Sequence, residues 1–398
     1  MLSAILLLPL LLLAALQLAD CRHIQHQVPS RLVLAATDFS GLHLPGDPVF
    51  QDPWVKANIA VTYGHQVQDG IGSQTLRMLA VYGLASSLGI RHVFRPLGCV
   101  GHIGRHVHYR EAACNFTNEA DKRQLSKAQR MIDLPTTAPG NTSHWQSKFL
   151  QALDWTPFVR DVTDALKKQQ PTLFEIERVN QLVRYHPDIF LSVPVLRPAS
   201  PPPVLTCRKA GSFSPLGAAN SNKSWLLDAL RVAVHIRRGD VVTDNWHKRI
   251  LKASYFINIA KTITDALEQA GCNYSVEVFI EAPANQEGAE ELQLLRTAIP
   301  NAVLLVDTDM LWTWQMMATA DVLVMSNSMF SLSAALLNPN ALTIHVPYNH
   351  YSQRVGMFKM KHWVSPLDEN GTLPDAAGDA IRQRTGGAAS APQQQQQV

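Results

Sequence analysis

Charged side chains are scarce in this sequence, and their signs are nearly balanced. Asp, Glu, Lys and Arg make up 17% of the residues, and the formal net charge is only +3. No block of basic residues and no alternation of basic with aromatic residues stands out, so we expect no nucleic-acid partner. The hydrophobic fraction of 46% is typical of a globular protein. A chain of 398 residues is long enough for two domains of ordinary size.

Only one long apolar run occurs, and it lies at the amino terminus. Residues Ala4–Leu16 are apolar throughout, with Pro9 as the one interruption. This run is shorter than the roughly 20 residues that cross a bilayer, and it matches the apolar core of a signal peptide. Positive charge follows the run at Arg22 instead of preceding it, which disfavours a membrane anchor. We expect residues 1–21 to be a cleaved signal peptide, with a retained membrane anchor as the alternative.

Cysteine is rare, and Cys21 lies within the predicted signal segment. The other four cysteines can pair in three ways, and the sequence does not choose among them. They are Cys99, Cys114, Cys207 and Cys272. The sequence also contains five Asn-x-Ser/Thr sequons, at Asn115, Asn141, Asn222, Asn273 and Asn370. Behind a signal peptide, these features predict a disulfide-containing glycoprotein of the ER or Golgi lumen, or a secreted one.

The N-terminal half opens with a predicted strand, a glycine-rich loop, a helix and a second strand. These elements are predicted at 57–63, 68–74, 76–88 and 92–94. Gly89 follows the last apolar position of the helix, where glycine commonly ends helices. Helical patterns are predicted again at 145–168 and 174–185. The proline-rich segment 199–203 is the predicted linker between the halves.

The C-terminal half alternates strands with helices. Strands are predicted at 231–236, 276–281, 302–306, 321–325 and 342–346, and helices at 255–270, 285–298, 310–319 and 330–337. Ser254 is the predicted N-cap of the first of these helices, and Gly271 is predicted to follow its end. Such alternation predicts a parallel sheet covered by helices. The segment from Asp375 to the glutamine-rich end is predicted to be disordered.

The strongest candidate site follows the strand at 231–236, in the segment His235-Ile-Arg-Arg-Gly-Asp240. Ligands of open α/β sheets bind outside the carboxyl ends of the strands. Two planar guanidinium groups there suit a diphosphate, which arginine can bind in a bidentate manner. Because side chains alternate along a strand, Arg237 and Arg238 should face opposite ways. One would bind phosphate and the other would form a supporting ion pair, with Asp240 as a candidate partner. The ordinary alternative is a core histidine beside a surface salt bridge.

Two further polar segments open predicted helices. Asp69-Gly-Ile-Gly-Ser-Gln74 precedes the first long helix, and Ser326-Asn-Ser-Met-Phe-Ser331 follows the strand at 321–325. Free backbone N–H groups and hydroxyls at helix starts can bind phosphate. The ordinary alternatives are a glycine-rich turn and a capped helix start.

These three segments, in their order along the chain, resemble motifs of the fucosyltransferase superfamily. This superfamily includes the α1,2-, α1,6- and protein O-fucosyltransferases. The segment at His235 resembles their His-x-Arg-Arg motif and is closest to the α1,2 branch. Gly70–Gln74 resembles their Gly-x-Gly-Asn-Gln loop, with Ser73 in place of Asn, and Ser326–Ser331 resembles the Ser-Asn-Ser-x-Phe-Ser segment. The resemblance implies a GT-B-like α/β fold of two Rossmann-like domains with parallel sheets facing a donor cleft. We predict these domains at 50–205 and 225–365.

The resemblance also implies a reaction and a set of site residues. It implies inverting transfer of fucose from GDP-fucose to a glycan or glycoprotein hydroxyl, without a metal or other cofactor. Arg237, Asp240 and Asp244 are the catalytic candidates; Arg237 is the first choice for the diphosphate contact, and the two aspartates are candidate bases. The predicted donor-binding residues are Gly70, Gly72, Gln74, His235, Arg237, Arg238, Glu281, Ser326, Asn327, Ser328, Phe330 and Ser331.

Three other interpretations of the sequence stay open. Asp307-Thr-Asp309 follows an apolar strand and could hold a metal as in GT-A glycosyltransferases, although acidic residues are also common at helix starts. Arg238-Gly-Asp240 is an Arg-Gly-Asp tripeptide, but such adhesion ligands sit on exposed loops, and this one abuts a predicted buried strand. An inactive relative that binds a glycan or sugar nucleotide without transfer is the third, since fold does not fix function.

Overall fold

The computed structural model describes eight stretches of the chain and a few isolated positions. The stretches are 47–64, 70–96, 143–178, 229–238, 250–282, 286–299, 301–346 and 363–385; Phe190 and some positions within 123–137 are also described. All of them belong to one compact unit, Asp38–Val398. The predicted signal segment, the linker at 199–203, Asp240 and Asp244 lie outside the described residues.

The N-terminal half contains a four-stranded parallel sheet with the strand order β2-β1-β4-β3. A short 3-10 helix at Pro48–Gln51 comes first. The elements are then α1 Pro53–Asn58, β1 Ile59–Tyr63, α2 Ile71–Leu88, β2 Arg91–His92, β3 Gln146–Ala152, α3 Trp155–Lys167 and β4 Thr172–Arg178. β1 is an interior strand, and all five of its residues are buried. The first residues after its carboxyl end, where it leads toward α2, therefore lie at the interior edge of this sheet.

Two predictions in this half are corrected. Residues 146–152 form β3 instead of helix, and only α3 retains the predicted helical character of 145–168. The predicted helix at 174–185 is wrong over 174–178, because Thr172–Arg178 forms β4 and pairs with β1 from Ile59 to Tyr63; residues 179–185 lie outside the described residues. Phe174 and Ile176 alternate along β4 and are fully buried. Pairing with an interior strand outweighs local helical preference, as tertiary context commonly does.

The C-terminal half contains a five-stranded parallel sheet with the strand order β7-β6-β5-β8-β9. Its strands are β5 Leu230–Ile236, β6 Tyr274–Ile280, β7 Ala302–Val306, β8 Val322–Val324 and β9 Leu342–Ile344. Its helices are α4 Ala253–Gln269, α5 Gln286–Ala298, α6 Met310–Ala318, α7 Met329–Leu337 and α8 Asp375–Arg384. The five predicted strands and four predicted helices are all present, with ends shifted by a few residues. β5 lies at the centre of the sheet, which positions the residues that follow it.

The ends of the helices agree in part with prediction. Gly89 and Gly271 take the left-handed conformation after α2 and α4, with φ of 66° and 69°, which glycine adopts at little cost. The N-cap of α4 is Lys252 instead of Ser254. The predicted disorder from Asp375 is wrong for α8, which buries Ala377 and Ile381 and packs on α4.

The predicted fold class, an α/β chain of two Rossmann-like halves with parallel sheets, is confirmed. The halves contact each other through α2 of the first and α7 of the second. Each of these helices follows an interior strand of its sheet, so the contact lies where both sheets present carboxyl ends. No helix in the described stretches has both the length and the apolar character that membrane crossing requires.

Candidate functional site

Arg237 and Ser328 form the centre of the candidate site. Arg237 directly follows β5, and Ser328 lies between the neighbouring strand β8 and α7. The Nη1 atom of Arg237 donates a hydrogen bond to Ser328 Oγ at 2.9 Å. The same hydroxyl oxygen accepts from the backbone N–H of Phe330 at 3.2 Å and caps α7. One serine therefore fixes a guanidinium beside the N-terminal end of a helix, and both groups favour an anion.

Arg238 is held by protein groups on all three of its nitrogens. Nε donates to Glu291 Oε2 at 2.6 Å, and Nη2 forms an ion pair with the same carboxylate. Nη1 donates to the Arg237 carbonyl at 2.7 Å and Nη2 to the Leu251 carbonyl at 2.9 Å. Arg238 forms an ion pair, as was predicted for one of the two arginines. Its partner in the described residues is Glu291, and these contacts favour a positioning role over donor binding.

Glu281 fixes the backbone where β5 ends. Its Oε2 atom accepts a hydrogen bond from the backbone N–H of Arg238 at 2.6 Å. Because Glu281 follows β6, this bond ties the ends of two adjacent strands together. The contact of Glu281 with a nucleoside stays a prediction, and the observed bond gives this carboxylate a structural function.

His235 is a buried, neutral residue behind the arginines. Its Nδ1 atom lies 2.6 Å from Ser326 Oγ, and its ring lies 5.6 Å from that of Phe330 between centroids. Burial, together with the charges of Arg237 and Arg238, lowers the pKa of His235 from 6.5 to about 3. The imidazole therefore carries no charge near neutral pH. It positions Ser326 and Phe330, and the positive charge of the site comes from arginine.

The turn between β8 and α7 is held by its own hydroxyls. Ser331 Oγ donates to the carbonyls of Ser326 at 3.3 Å and of Ser328 at 3.2 Å. Asn327 between them is 6% exposed, and its Oδ1 atom has no hydrogen-bond partner in the described part of the chain. The predicted donor contacts of these residues stay predictions. The geometry shows a hydrogen-bonded turn whose Ser326 side chain contacts His235 of β5.

The glycine-rich segment of the N-terminal half comes to the same place. Gly70 is the N-cap position of α2, where it makes no side-chain cap, and Gln74 is buried. A Cβ atom on Gly72 would lie 2.6 Å from the backbone of Met329 and of Phe330. Gly72 thus faces the first turn of α7, and this geometry assigns it to contact between the halves. Phosphate binding by this segment stays a prediction, and residues 65–69 lie outside the described residues.

Asp307 and Asp309 each accept a hydrogen bond from a backbone N–H group. Asp307, at a positive φ of 48°, accepts from Ala282 N at 2.8 Å. Asp309 is the N-cap of α6 and accepts from Trp312 N at 2.8 Å. This is the helix-cap interpretation of the segment. Within the described stretches, no group of three or more His, Cys, Asp or Glu side chains is arranged to hold a metal ion.

The structure thus brings together nine predicted site residues from both halves. They are Gly72, His235, Arg237, Arg238, Glu281, Ser326, Ser328, Phe330 and Ser331. Sequence reasoning missed Glu291, which lies 53 positions from Arg238 on α5. No local motif marks that carboxylate, since only the tertiary structure, in which α5 packs on α4, brings it to the arginine.

Comparison with known proteins gives fold-level likeness only. No protein-family model and no curated protein matches the sequence. Escherichia coli heptosyltransferase WaaC with ADP has 13% identity and a TM-score of 0.34, covering 82% of this chain and 97% of that one. S. aureus MnaA with UDP has 9% identity and a TM-score of 0.31, covering 82% and 87%.

A third solved structure matches a smaller part of the chain. A hypothetical protein from Streptococcus mutans has 13% identity and a TM-score of 0.22, covering 42% of this chain. The match spans 58% of that protein's own length. At these identities and TM-scores, none of the three structures indicates the activity of this protein.

Proposed function

We propose that this protein is an inverting, metal-independent glycosyltransferase that moves fucose from GDP-fucose to a hydroxyl of a glycan or glycoprotein. The observation that carries the proposal is the bond from Arg237 to Ser328. It holds a guanidinium at the carboxyl ends of adjacent central strands, beside the start of α7. Ligands of α/β sheets bind at that edge, and a fixed guanidinium suits a diphosphate. The fucose and guanine components rest on the motif resemblance.

The proposed chemistry is a single in-line displacement. An acceptor hydroxyl attacks the anomeric carbon of fucose, the bond to the β-phosphate oxygen breaks, and GDP leaves. Negative charge grows on that phosphate as the bond breaks, so Arg237 stabilises the transition state more than the ground state. Its hydrogen bond to Ser328 keeps the guanidinium in place beforehand, which reduces the reorganisation needed during reaction.

Arg238 and His235 support Arg237 in this proposal without touching the donor. Arg238 is neutralised by Glu291 and anchors the backbone that carries Arg237. His235 is neutral and cannot act as a cation toward phosphate. The attacking hydroxyl must also lose a proton, and a carboxylate is the usual acceptor. Asp240 and Asp244 remain the candidate bases.

Two features support charge neutralisation without a metal. The N-terminal turns of α2 and α7 meet at Gly72, and each helix start carries partial positive charge. Arg237 adds a full charge at the same place.

A metal-dependent GT-A enzyme using Asp307 and Asp309 is the second candidate function. It is disfavoured because both carboxylates already accept backbone hydrogen bonds. An inactive, nucleotide-binding relative is the third.

A location in the secretory pathway is part of the proposal. Cys272 is disulfide-bonded, and disulfides persist mainly in oxidising compartments. The sequon residue Asn370 is exposed next to Gly371 in a turn, where a glycan can be carried. We expect the protein secreted or retained by eukaryotic cells to lose mass on digestion with a peptide N-glycosidase. An unchanged mass would contradict a lumenal location.

The test is calorimetric titration of the protein with GDP, with and without EDTA. We expect binding that EDTA does not change and that Arg237→Ala weakens about 10- to 100-fold, because a charge-assisted hydrogen bond contributes about 1.5–3 kcal/mol. Arg382→Ala is the matched control, since Arg382 is paired with Asp379 on the exposed face of α8. It should leave GDP binding unchanged.

The other outcomes separate the candidate functions. Binding that EDTA abolishes would overturn metal independence and favour Asp307 and Asp309. Binding without release of GDP from GDP-fucose, in the presence of a panel of glycan acceptors, would favour the inactive relative. A folded protein that binds no GDP would contradict the proposal.

A further inference from the structure

Gly72 is where the two halves of the molecule come into backbone contact. It occupies the first turn of α2 and is buried. A Cβ atom at this position would lie 2.6 Å from the carbonyl carbon and oxygen of Met329 and from the Cα of Phe330. Real Cβ atoms essentially never come that close to backbone. These three atoms belong to the main chain, so no rotation of a side chain can make room, and a side chain at 72 must move α7 relative to α2.

Phe330, one of the two α7 residues that meet Gly72, is bonded to the candidate site. Phe330 packs against the His235 ring, and its backbone N–H binds Ser328 Oγ. That same oxygen accepts the hydrogen bond of Arg237. The start of α7 therefore touches Gly72 on one side and the β5 residues on the other. A displacement of this turn changes the positions of His235 and Arg237 together.

We infer that Gly72 is a positioning residue, whose lack of a side chain lets α2 dock on α7 and so holds Phe330 and Ser328 against His235 and Arg237. The contact between the halves would then require glycine at position 72, independently of any phosphate contact that its backbone makes. Its consequence for catalysis rests on the proposed function, but the geometry it describes does not. The contact would act on the reaction through Arg237 without touching the donor.

The experiment compares Gly72→Ala with wild type in the full chain by NMR of histidine-labelled protein. His235 ring signals are assigned by their loss in His235→Gln. We expect Gly72→Ala to shift these signals, because the ring current of Phe330 and the bond to Ser326 both change. GDP binding should weaken about tenfold, the order expected when overpacking displaces one charge-assisted hydrogen bond.

Gly378→Ala is the matched control, because it also places alanine inside a helix. A Cβ there would meet only the mobile end of Arg382, at 3.4 Å. It should leave the His235 signals and GDP binding unchanged. Unchanged His235 signals and unchanged GDP binding in Gly72→Ala would overturn the inference.

Phe330→Leu provides a second test if Gly72→Ala does not fold. This variant leaves the Gly72 contact with the α7 backbone in place and removes the ring beside His235. We expect the His235 signals to shift and its pKa to rise as the ring becomes more hydrated. An unaltered His235 titration would overturn the link through Phe330. Absence of GDP binding in the wild type would contradict the proposed function, while the NMR comparison would still decide the role of Gly72.

Discussion

The two halves of the molecule meet at two strand-to-helix junctions, β1 to α2 and β8 to α7, and these junctions differ in their polar groups. In the N-terminal half, β1 leads through Gly70 into α2, whose first turn makes no side-chain cap. In the C-terminal half, β8 leads through Ser328 into α7, and the serine hydroxyl both caps the helix and holds Arg237. At the first junction, Gly70 and Gly72 offer the site only backbone groups, and the lack of a side chain at Gly72 allows the close approach of α7. The second contributes hydroxyls, so the polar chemistry of the described site comes mainly from the C-terminal half.

One ion pair from each half shows how differently the two regions bury charge. Arg95 and Glu175 in the N-terminal sheet are 32% and 22% exposed at their side chains. Arg238 and Glu291 in the C-terminal half are 8% and 16% exposed. Water can replace a lost partner in the first pair and much less so in the second. Polar contacts near β5 should therefore be more costly to break than those of the N-terminal sheet.

The largest expected effect comes from breaking these two ion pairs. We expect Glu291→Ala to lower the free energy of unfolding by about 3–5 kcal/mol, because it leaves the buried Arg238 charge uncompensated. Glu175→Ala should cost about 1 kcal/mol or less, since its partner can be hydrated. Urea denaturation followed by circular dichroism measures both. Equal losses would contradict the difference between the halves.

A pH effect of intermediate size is expected from one buried histidine in each half. Burial lowers the pKa of His92 to about 4 and that of His235 to about 3, both from 6.5. Between pH 6.5 and these values the unfolded chain binds protons that the folded protein does not. Stability should therefore fall as the pH falls through this window, by at most about 1.4 kcal/mol per pH unit for each histidine.

Replacing each histidine by glutamine tests whether the two histidines have different functions. Each variant should make the free energy of unfolding depend less on pH between 6.5 and 4, as followed by urea denaturation at several pH values. His235→Gln should also weaken GDP binding, because His235 contacts Ser326 and Phe330. His92→Gln should not, since His92 is bonded to the Pro135 carbonyl and packs on Tyr82. Identical effects on GDP binding would count against the assignment of the site.

A small effect on stability is expected from the loss of a helix cap. Ser328→Ala and Asp309→Ala each remove an N-cap side chain and should each cost about 1 kcal/mol of unfolding free energy. Only Ser328→Ala should also weaken GDP binding, because Arg237 loses its hydrogen bond. Thermal unfolding and GDP titration of the same samples separate the two effects. Weaker binding in both variants would show that cap loss acts through the fold in general.

Elements whose pattern is strong over a short range were predictable from sequence. β5 was predicted because an apolar, β-branched run ends in polar residues, and α7 because serines precede an apolar helix. β3 and β4 were not predictable in this way. β4 becomes a strand by pairing with β1, which is distant in the sequence, and β3 then pairs with β4. The helix α8 was missed because its small residues look unstructured until Ala377 and Ile381 pack on α4.

The sequence by itself determined the fold class, the order of strands and helices in the C-terminal half, and the motifs at its strand ends. These follow from local periodicity, which nearby residues encode. Only the tertiary structure decided that Arg238 pairs with Glu291, that His235 is neutral, and that Gly72 faces α7. Each of these facts depends on burial and on contact between distant segments. Burial sets the cost of an unpaired charge or a misplaced atom, and it exists only once the sheets and helices have packed.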